Sequence, residues 1–382
     1  MNDTTSPMAA ADSSGGAKRT VVILFGGRSS EHGISCVTAA GVLHAIDRSL
    51  FDVILVGITK HGATVLMSEE DLAGYRLDSG ALPEVRDNGT RVLWPASTET
   101  RALTVIDQHG SLRSLGNAAA VLPMLHGPYG EDGTVQGMLD LIDLPYVGSG
   151  VLGSALCMDK HAVKTMLADA GIPVAPWKTV TKHQLDRDPY LAERLDEGLD
   201  YPLFVKPARA GSSVGVSRVE TAAEIPAALE VAFAEDRTVL VESGVNGREV
   251  EIAVLEGRAG SAPRTSSVIG EIVFTGRAFY DFDAKYLGAA GVDLELPAKV
   301  TDAEFSAIRD AAVRSFEVAQ CAGLSRIDFF LTENGPVLNE INTLPGFTPI
   351  SMYPRLWEES GLSYTDLITE LVELAIEKQP AY

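Results

Sequence analysis

The chain has 382 residues, 46% of them hydrophobic, and a formal net charge of −21. That length supplies cores for two or three domains, and the composition is globular rather than disordered. No apolar run is long enough to span a bilayer, and so acidic a surface repels nucleic acid and anionic lipid. Any phosphate chemistry must therefore rest on a few local cations beside glycine-rich turns.

Residues 1–18 are small and polar, with Ser13-Ser14-Gly15-Gly16 in the middle. They lack the basic start and apolar stretch of a secretory signal and read as a disordered tail. Thr20 to Phe25 is a β-branched apolar run ending at Gly26-Gly27, the pattern of a buried parallel strand. A helix from about Ser35 to Ile46 and a second strand, Phe51 to Thr59, complete a βαβ unit. Short strands and polar turns from about Glu84 to Leu115 read as an insertion. A buried strand from Ala119 to Leu125, a helix from about Thr134 to Ile142 and Pro145-Tyr146-Val147-Gly148 close this α/β domain, 19–148.

A second domain, 149–246, contains a helix over Asp159 to Ala170, stopped by Gly171 and Pro173. Strands at Tyr201 to Pro207 and Thr238 to Glu242 flank a helix near Ala222 to Ala234. A third domain, 247–382, contains strands at Glu249 to Glu256 and Ser267 to Phe274, then an irregular stretch, Gly276 to Pro297. A helix over Asp302 to Cys321 follows, with capping-box spacing at Thr301 and Glu304. After a strand pair, the chain ends in a helix from about Tyr364 to Lys378. The three cysteines, Cys36, Cys157 and Cys321, are odd in number and far apart in sequence. They read as small buried apolar side chains of a cytosolic protein, not as a disulfide framework or zinc site.

The strand pair carries the strongest local chemistry. Side chains two apart on a strand share a face, so Arg326 projects with Asp328, and Glu340 with Asn342. A three-residue loop, Glu333-Asn334-Gly335, sets Asp328 opposite Glu340 and Arg326 opposite Asn342. It sends Ile327, Phe329, Leu331, Val337 and Ile341 to the other face. A two-residue Asn-Gly turn would instead oppose Asp328 to Ile341 and mix polar with apolar side chains. Two carboxylates about 4 Å apart repel by roughly 4 kcal/mol at an effective dielectric of about 20. A cation removes that penalty, and carboxylates with an amide oxygen suit Mg²⁺. The plainer alternative is a solvated hairpin face with ordinary ion pairs.

Lys206 lies on an apolar strand directly before Ala208-Arg209-Ala210-Gly211-Ser212-Ser213-Val214-Gly215. Such a loop can turn backbone N–H groups towards phosphate, and the lysine supplies a point charge. The Walker spacing is absent. Lys160 opens a helix after Met158-Asp159; alone, it reads as a surface lysine. Glu242, ending a strand that leads through Val245 to Glu249, suits a crossing segment that holds a nucleoside, although each acid alone is a weak signal.

Together these motifs resemble the D-alanine–D-alanine ligases of the ATP-grasp superfamily from about Val21 to Leu356. The resemblance is carried by Phe25 to Ser35, His126 to Gly137, Gly148-Ser149-Gly150 through Lys160, Lys206 to Gly215, Tyr280 to Tyr286, Arg326 to Asp328 and Glu340 to Gly346, in the family order. It implies an α/β, three-domain ATP-grasp ligase, with an N-terminal parallel-sheet domain and two α+β domains clamping ATP. Lys160, Lys206, Gly211 and Ser213 correspond to its phosphate site, and Glu242, Val245 and Glu249 to its adenine and ribose contacts. Asp328, Glu340 and Asn342 correspond to a site for two Mg²⁺ ions, with Mn²⁺ as a substitute. Glu31, beside Ser212 and Tyr286, is similar to the acid that receives the first D-alanine's ammonium, and His126 to a histidine next to that substrate. Arg326 and the Gly346 N–H resemble oxyanion donors; Lys285 and Ser351 resemble anchors for the second D-alanine. The family further implies a cytoplasmic homodimer serving peptidoglycan synthesis. An acyl phosphate hydrolyses unless water is excluded, and the Gly276–Pro297 stretch, with Gly288 and Gly291 and the packing residues Tyr280, Phe282, Tyr286 and Leu287, reads as a lid, the plainer alternative being a surface loop. Ser243 and Gly244 depart from the lysine and bulky residue common at the hinge, and Gly33 from a common acid.

The nearest rivals are the same ligase taking D-lactate or D-serine second, and another ATP-grasp enzyme such as a carboxylase. The carboxylase would require neither the His126 motif nor Lys285-Tyr286. A non-catalytic nucleotide-binding module predicts ATP binding without phosphate release. A dinucleotide dehydrogenase is the weakest rival: Gly26 to Glu31 follows a strand but lacks the G-x-G-x-x-G spacing.

Overall fold

The computed structural model describes residues 17–76, 82–274 and 292–378. The first sheet contains β1 (Arg19–Gly26), β2 (Phe51–Ile58) and β3 (Thr64–Met67). Three short strands follow, β4 (Arg91–Leu93), β5 (Ala102–Ile106) and β6 (Leu112–Asn117), and then β7 (Ala120–Pro123) returns to the first sheet. The order is β3-β2-β1-β7, with β1 parallel to both neighbours.

The residues of β1 alternate between two cores, which explains why its sequence shows no polar alternation. Val21, Ile23 and Phe25 join Ala39 and Val42 of α1 (His32–Ala45). Val22 and Leu24 join Val92 and Leu103 from β4 and β5, and Leu139 of a helix at Thr134–Leu141. The expected insertion is thus a small antiparallel sheet, β4-β5-β6, that roofs one face of the first sheet.

The second sheet has the order β10-β9-β11-β8, from β8 (Trp177–Thr181), β9 (Leu203–Pro207), β10 (Ser217–Val219) and β11 (Thr238–Ser243). Val205, Val239 and Val241 pack under Ala228, Leu229 and Ala232 of a helix at Ile225–Glu235. The third sheet runs β15-β14-β12-β16-β17, with β13 beside β12. Its strands are β12 (Arg248–Leu255), β13 (Arg264–Thr265), β14 (Gly270–Phe274), β15 (Val292–Glu295), β16 (Leu324–Thr332) and β17 (Gly335–Asn342). One face packs on Ile308, Ala312 and Phe316 of the helix at Asp302–Val318. Ala253, Leu255 and Leu324 join the core shared with α1 and the C-terminal helix, Tyr364–Glu377.

Pairing of β16 with β17 agrees with expectation at the polar end and departs from it at the turn. Asp328 faces Glu340 and Arg326 faces Asn342. The tip, however, pairs Thr332 with Gly335, which leaves a two-residue turn, Glu333-Asn334, with Gly335 at φ +108°. A bulge then lies between Asp328 and Phe329: Phe329 pairs with Leu338 and Asp328 with Glu340, so Asn339 is the extra residue. The bulge restores the register that a longer loop would have set. It also corrects the core assignment, because Leu338 is buried with Ile327, Phe329 and Ile341 whereas Val337 is only partly buried.

Other differences are local. Helices at Val151–Met158 and Met352–Glu359 and strand β8 were not expected; each is short, with few residues to establish a period. The end of the Gly276–Pro297 stretch is not irregular, since β15 pairs with β14. The Thr301–Glu304 capping box is formed. The tail reading falls almost wholly on residues 1–16, outside the described residues. Cys157 and Cys321, distant in sequence, lie with their sulfurs 3.9 Å apart as free thiols. Among the described residues no helix is long and apolar enough to cross a membrane.

The bulged register carries a test. Leu338→Ala is expected to cost about 2–4 kcal/mol of unfolding free energy and Val337→Ala less than about 1 kcal/mol. Equal losses in denaturant titrations would contradict the assignment.

Candidate active site

Glu31 immediately precedes α1 and is buried, with its carboxylate at the positive end of the helix. Its Oε1 accepts a 2.7 Å hydrogen bond from the Ser212 hydroxyl, 181 residues away. Gly127 approaches it at φ +71°, where a Cβ would lie 2.8 Å from Glu31 Oε2, so a side chain there would be strained and would displace the carboxylate. His126 lies next to it, with Nδ1 3.2 Å from the Leu344 carbonyl.

Ser212 and Ser213 both hold positive φ, +50° and +58°, an uncommon state for residues with a side chain. Turns within the loop bond Val214 N–H to the Gly211 carbonyl and Val216 N–H to that of Ser213. Arg209 fixes the base of the loop through two guanidinium bonds and its backbone N–H to Asp236. That carboxylate takes up the Arg209 charge and raises its pKa, so the lysines are left as the cations for an anionic ligand.

Beneath this loop lies the bulged hairpin. Arg326 donates to both oxygens of Asp328 at 2.8 Å, and the Asn342 amide donates to the same carboxylate at 2.9 Å. Glu251 of β12 sits 3.2 Å from the Arg326 guanidinium on the other side. Glu340 lies 3.8 Å from Lys160, whose ammonium also donates to the Ala210 carbonyl at 2.7 Å. Among the described residues, no three His, Cys, Asp or Glu side chains gather as an all-protein metal cage. Two facing carboxylates and an amide instead fit a hard cation that keeps water and phosphate oxygens in its shell, as Mg²⁺ does.

A further cluster lies behind Lys206. Its ammonium donates to Glu242 Oε1 at 2.9 Å, while Lys164 donates to Oε2 at 2.7 Å. Burial works to raise the Glu242 pKa, but the two lysines outweigh it and hold the carboxylate below its usual range.

One cleft brings together Glu31, His126, Lys160, Gly211, Ser212, Glu340, Asn342 and Gly346 from distant parts of the chain. Arg326 and Asp328 adjoin it through Asn342. Ser351 adjoins through Gly346, where a Cβ would lie 3.2 Å from the Ser351 hydroxyl oxygen. Ser213 continues the loop, whereas Lys206 and Glu242 form the cluster behind it. Glu249 lies on β12 opposite Phe330, and Val245 follows β11. Lys285 and Tyr286 lie outside the described residues.

Residues 20–149 match the family model described as D-ala D-ala ligase N-terminus, and residues 166–373 match D-ala D-ala ligase C-terminus. The chain belongs to the D-alanine–D-alanine ligase family. It is 49% identical to the D-alanine–D-alanine ligase of Kineococcus radiotolerans, over 94% of this chain and 97% of that protein. With the ligase of Pseudarthrobacter chlorophenolicus the identity is 47%, over 96% of each. Among solved structures, the VanG D-Ala:D-Ser ligase of Enterococcus faecalis matches with a TM-score of 0.79 at 33% identity, over 94% of this chain and 100% of that one. The D-alanine–D-alanine ligase of Coxiella burnetii matches at 0.76 and 33%, over 94% of each.

For this family member, sequence reasoning passed over Glu251, Lys164 and Glu131. Glu251 shares a strand face with Glu249, a signal that was available. Lys164 stands one helical turn after Lys160 and gave no sign of burial. Glu131 accepts the Gly127 N–H at 2.6 Å and lines the cleft. Gly244, where a bulkier residue is common, has a backbone reason: its N–H bonds to the Pro202 carbonyl at 2.7 Å, and a Cβ would lie 2.8 Å from that oxygen.

The Ser212–Glu31 bond gives a direct test. Ser212→Ala removes a bond to a charged acceptor and is expected to speed hydrogen exchange at the Val214 and Val216 amides about tenfold. Unchanged exchange would mean that the loop is held by other contacts.

Proposed function

We propose that the protein uses ATP to join two D-alanines into D-alanyl-D-alanine through a D-alanyl phosphate, supplying peptidoglycan precursors. The observation that carries this reading is the convergence of Glu31, the Ser212 loop and the Asp328–Glu340 hairpin on one cleft, in a chain 49% identical to a D-alanine–D-alanine ligase.

Glu31 receives the first substrate's ammonium, beside His126, and directs its carboxylate towards the loop. A carboxylate oxygen attacks the γ-phosphorus of ATP, the bond to the bridging oxygen breaks, and ADP leaves. Lys160, Lys206 and the Gly211 and Ser213 backbone hold the phosphates. Glu242, the backbone at Val245 and Glu249 hold the adenine and ribose. Asp328, Glu340 and Asn342 would hold two Mg²⁺ ions, or Mn²⁺ as a substitute, which would supply positive charge against the oxygens of the transferring phosphoryl group. The second D-alanine, its carboxylate anchored by Lys285 and Ser351, attacks the acyl carbon with its free amine. Arg326 and the Gly346 N–H hold the resulting oxyanion, phosphate leaves, and the amine loses its proton. Tyr286 and most of the lid proposed within Gly276–Pro297 lie outside the described residues; their role would be to complete the set of Glu31 and Ser212 and exclude the water that would hydrolyse the acyl phosphate.

We assign the substrate, central and catalytic domains to 19–148, 149–246 and 247–382, in a cytoplasmic enzyme with no membrane or nucleic-acid partner. A homodimer is supported by adjoining helices at Thr134–Leu141 and Val151–Met158, which expose Leu141 at 80%, Leu152 at 57%, Val151 at 42% and Met138 at 37%. A second copy packed on these helices would cover those apolar side chains.

The test is ATP-dependent phosphate release with D-alanine, with the product identified and D-lactate or D-serine offered in competition. D-alanyl-D-alanine is expected to dominate. A mixed product moves the assignment to a D-lactate or D-serine ligase, and ATP binding without phosphate release removes it. Glu340→Gln is expected to fold normally and lower kcat at least about a hundredfold, since it removes a metal ligand from the charged transition state. Near-native turnover would sink the metal assignment.

A further inference from the structure

We infer that Lys164 is a positioning residue for nucleotide phosphates: it takes up the charge of Glu242, so that Lys206, on the same carboxylate, keeps a net positive charge for the ligand. The inference rests on the ATP-dependent reading above and adds a residue to it.

Lys164 lies on the helix Lys160–Asp169, four residues after Lys160 and on the same face. Its side chain is 3% exposed, Glu242 is 7% and Lys206 is 16%. Lys164 and Lys206 donate to opposite oxygens of Glu242, at 2.7 and 2.9 Å. The Lys164 ammonium also sits 5.1 Å over the Trp177 ring of β8. One carboxylate between two ammoniums leaves an excess of one positive charge. Because Lys164 is the more enclosed of the two, that excess faces outward through Lys206.

Without Lys164, Glu242 would neutralise Lys206 outright. A phosphate arriving at Lys206 would then compete with a buried carboxylate that has no other ammonium partner among the described residues. With Lys164 present, Lys206 can turn to phosphate while Glu242 stays paired, and no buried charge is stranded. Burial lowers the Lys164 pKa, with Glu242 acting against it. The plainer alternative is an ion pair that only fastens this helix to β11. That alternative predicts equal damage to every part of nucleotide recognition.

The two separate in equilibrium binding of ATP, ADP and adenosine, each with Mg²⁺, to the full-length protein. Lys164→Met is expected to weaken ATP and ADP about tenfold or more, the size of one charge-assisted contact, and to leave adenosine within about twofold. Lys164→Arg restores the charge and is expected to bind ATP within about threefold of native. Should Lys164→Met not fold, Lys164→Gln carries the same expectation. Equal weakening of adenosine and ATP, unchanged ATP affinity, or an arginine variant as weak as the methionine variant overturns the inference. In those cases native ATP binding leaves the ligase reading standing; a native protein that binds no ATP removes both.

Discussion

Asp328 and Glu340 face each other because β17 carries one more residue than β16 between the turn and the site. Below the bulge, the register buries Leu338 against the helix at Asp302–Val318; above it, Ile341 is buried while Glu340 and Asn342 turn towards the cleft. A single register would satisfy one end of the hairpin and invert the other, since one residue of slip exchanges the faces. The third sheet is thereby anchored in the core and still presents Arg326, Asp328, Glu340 and Asn342 together. The remaining chemistry is arranged around that face: Lys160 reaches Glu340, Glu251 backs Arg326, and the Leu344 carbonyl meets His126 from the first sheet.

The cleft also resolves a problem set by the net charge. A strongly acidic protein that binds a polyphosphate must keep a few cations uncommitted. Arg209, inside the loop, is committed to Asp236. Lys206 is bound to an acid, but one that a second lysine shares. Charge is therefore partitioned inside the protein: some cations hold structure, and others remain able to change partners.

Much of this was legible in sequence, where a local rule governed a local outcome. Two-residue spacing placed Arg326 with Asp328 and Glu340 with Asn342. The unbroken apolar run of β1 indicated burial on both faces, and Thr301 with Glu304 indicated a helix start. The turn itself was not legible: Glu333-Asn334-Gly335 is compatible with more than one loop, and the bulge appears only once Leu338 has a core to enter. The roof formed by β4-β5-β6 was hidden for the same reason, since short strands reveal their partner only through packing. Burial of Lys164 and the approach of Cys157 to Cys321 depend on which helices meet. Ser212 and Glu31, 181 residues apart, were connected only by family resemblance; their bond belongs to the three-dimensional fold.

In the proposed reaction the γ-phosphoryl group of ATP passes to the carboxylate of the first D-alanine. Turnover with D-alanine labelled with ¹⁸O in its carboxylate tests this directly, by mass analysis of the phosphate released. Transfer through an acyl phosphate leaves one labelled oxygen in each phosphate released by dipeptide formation. Dipeptide formed with unlabelled phosphate would contradict the account.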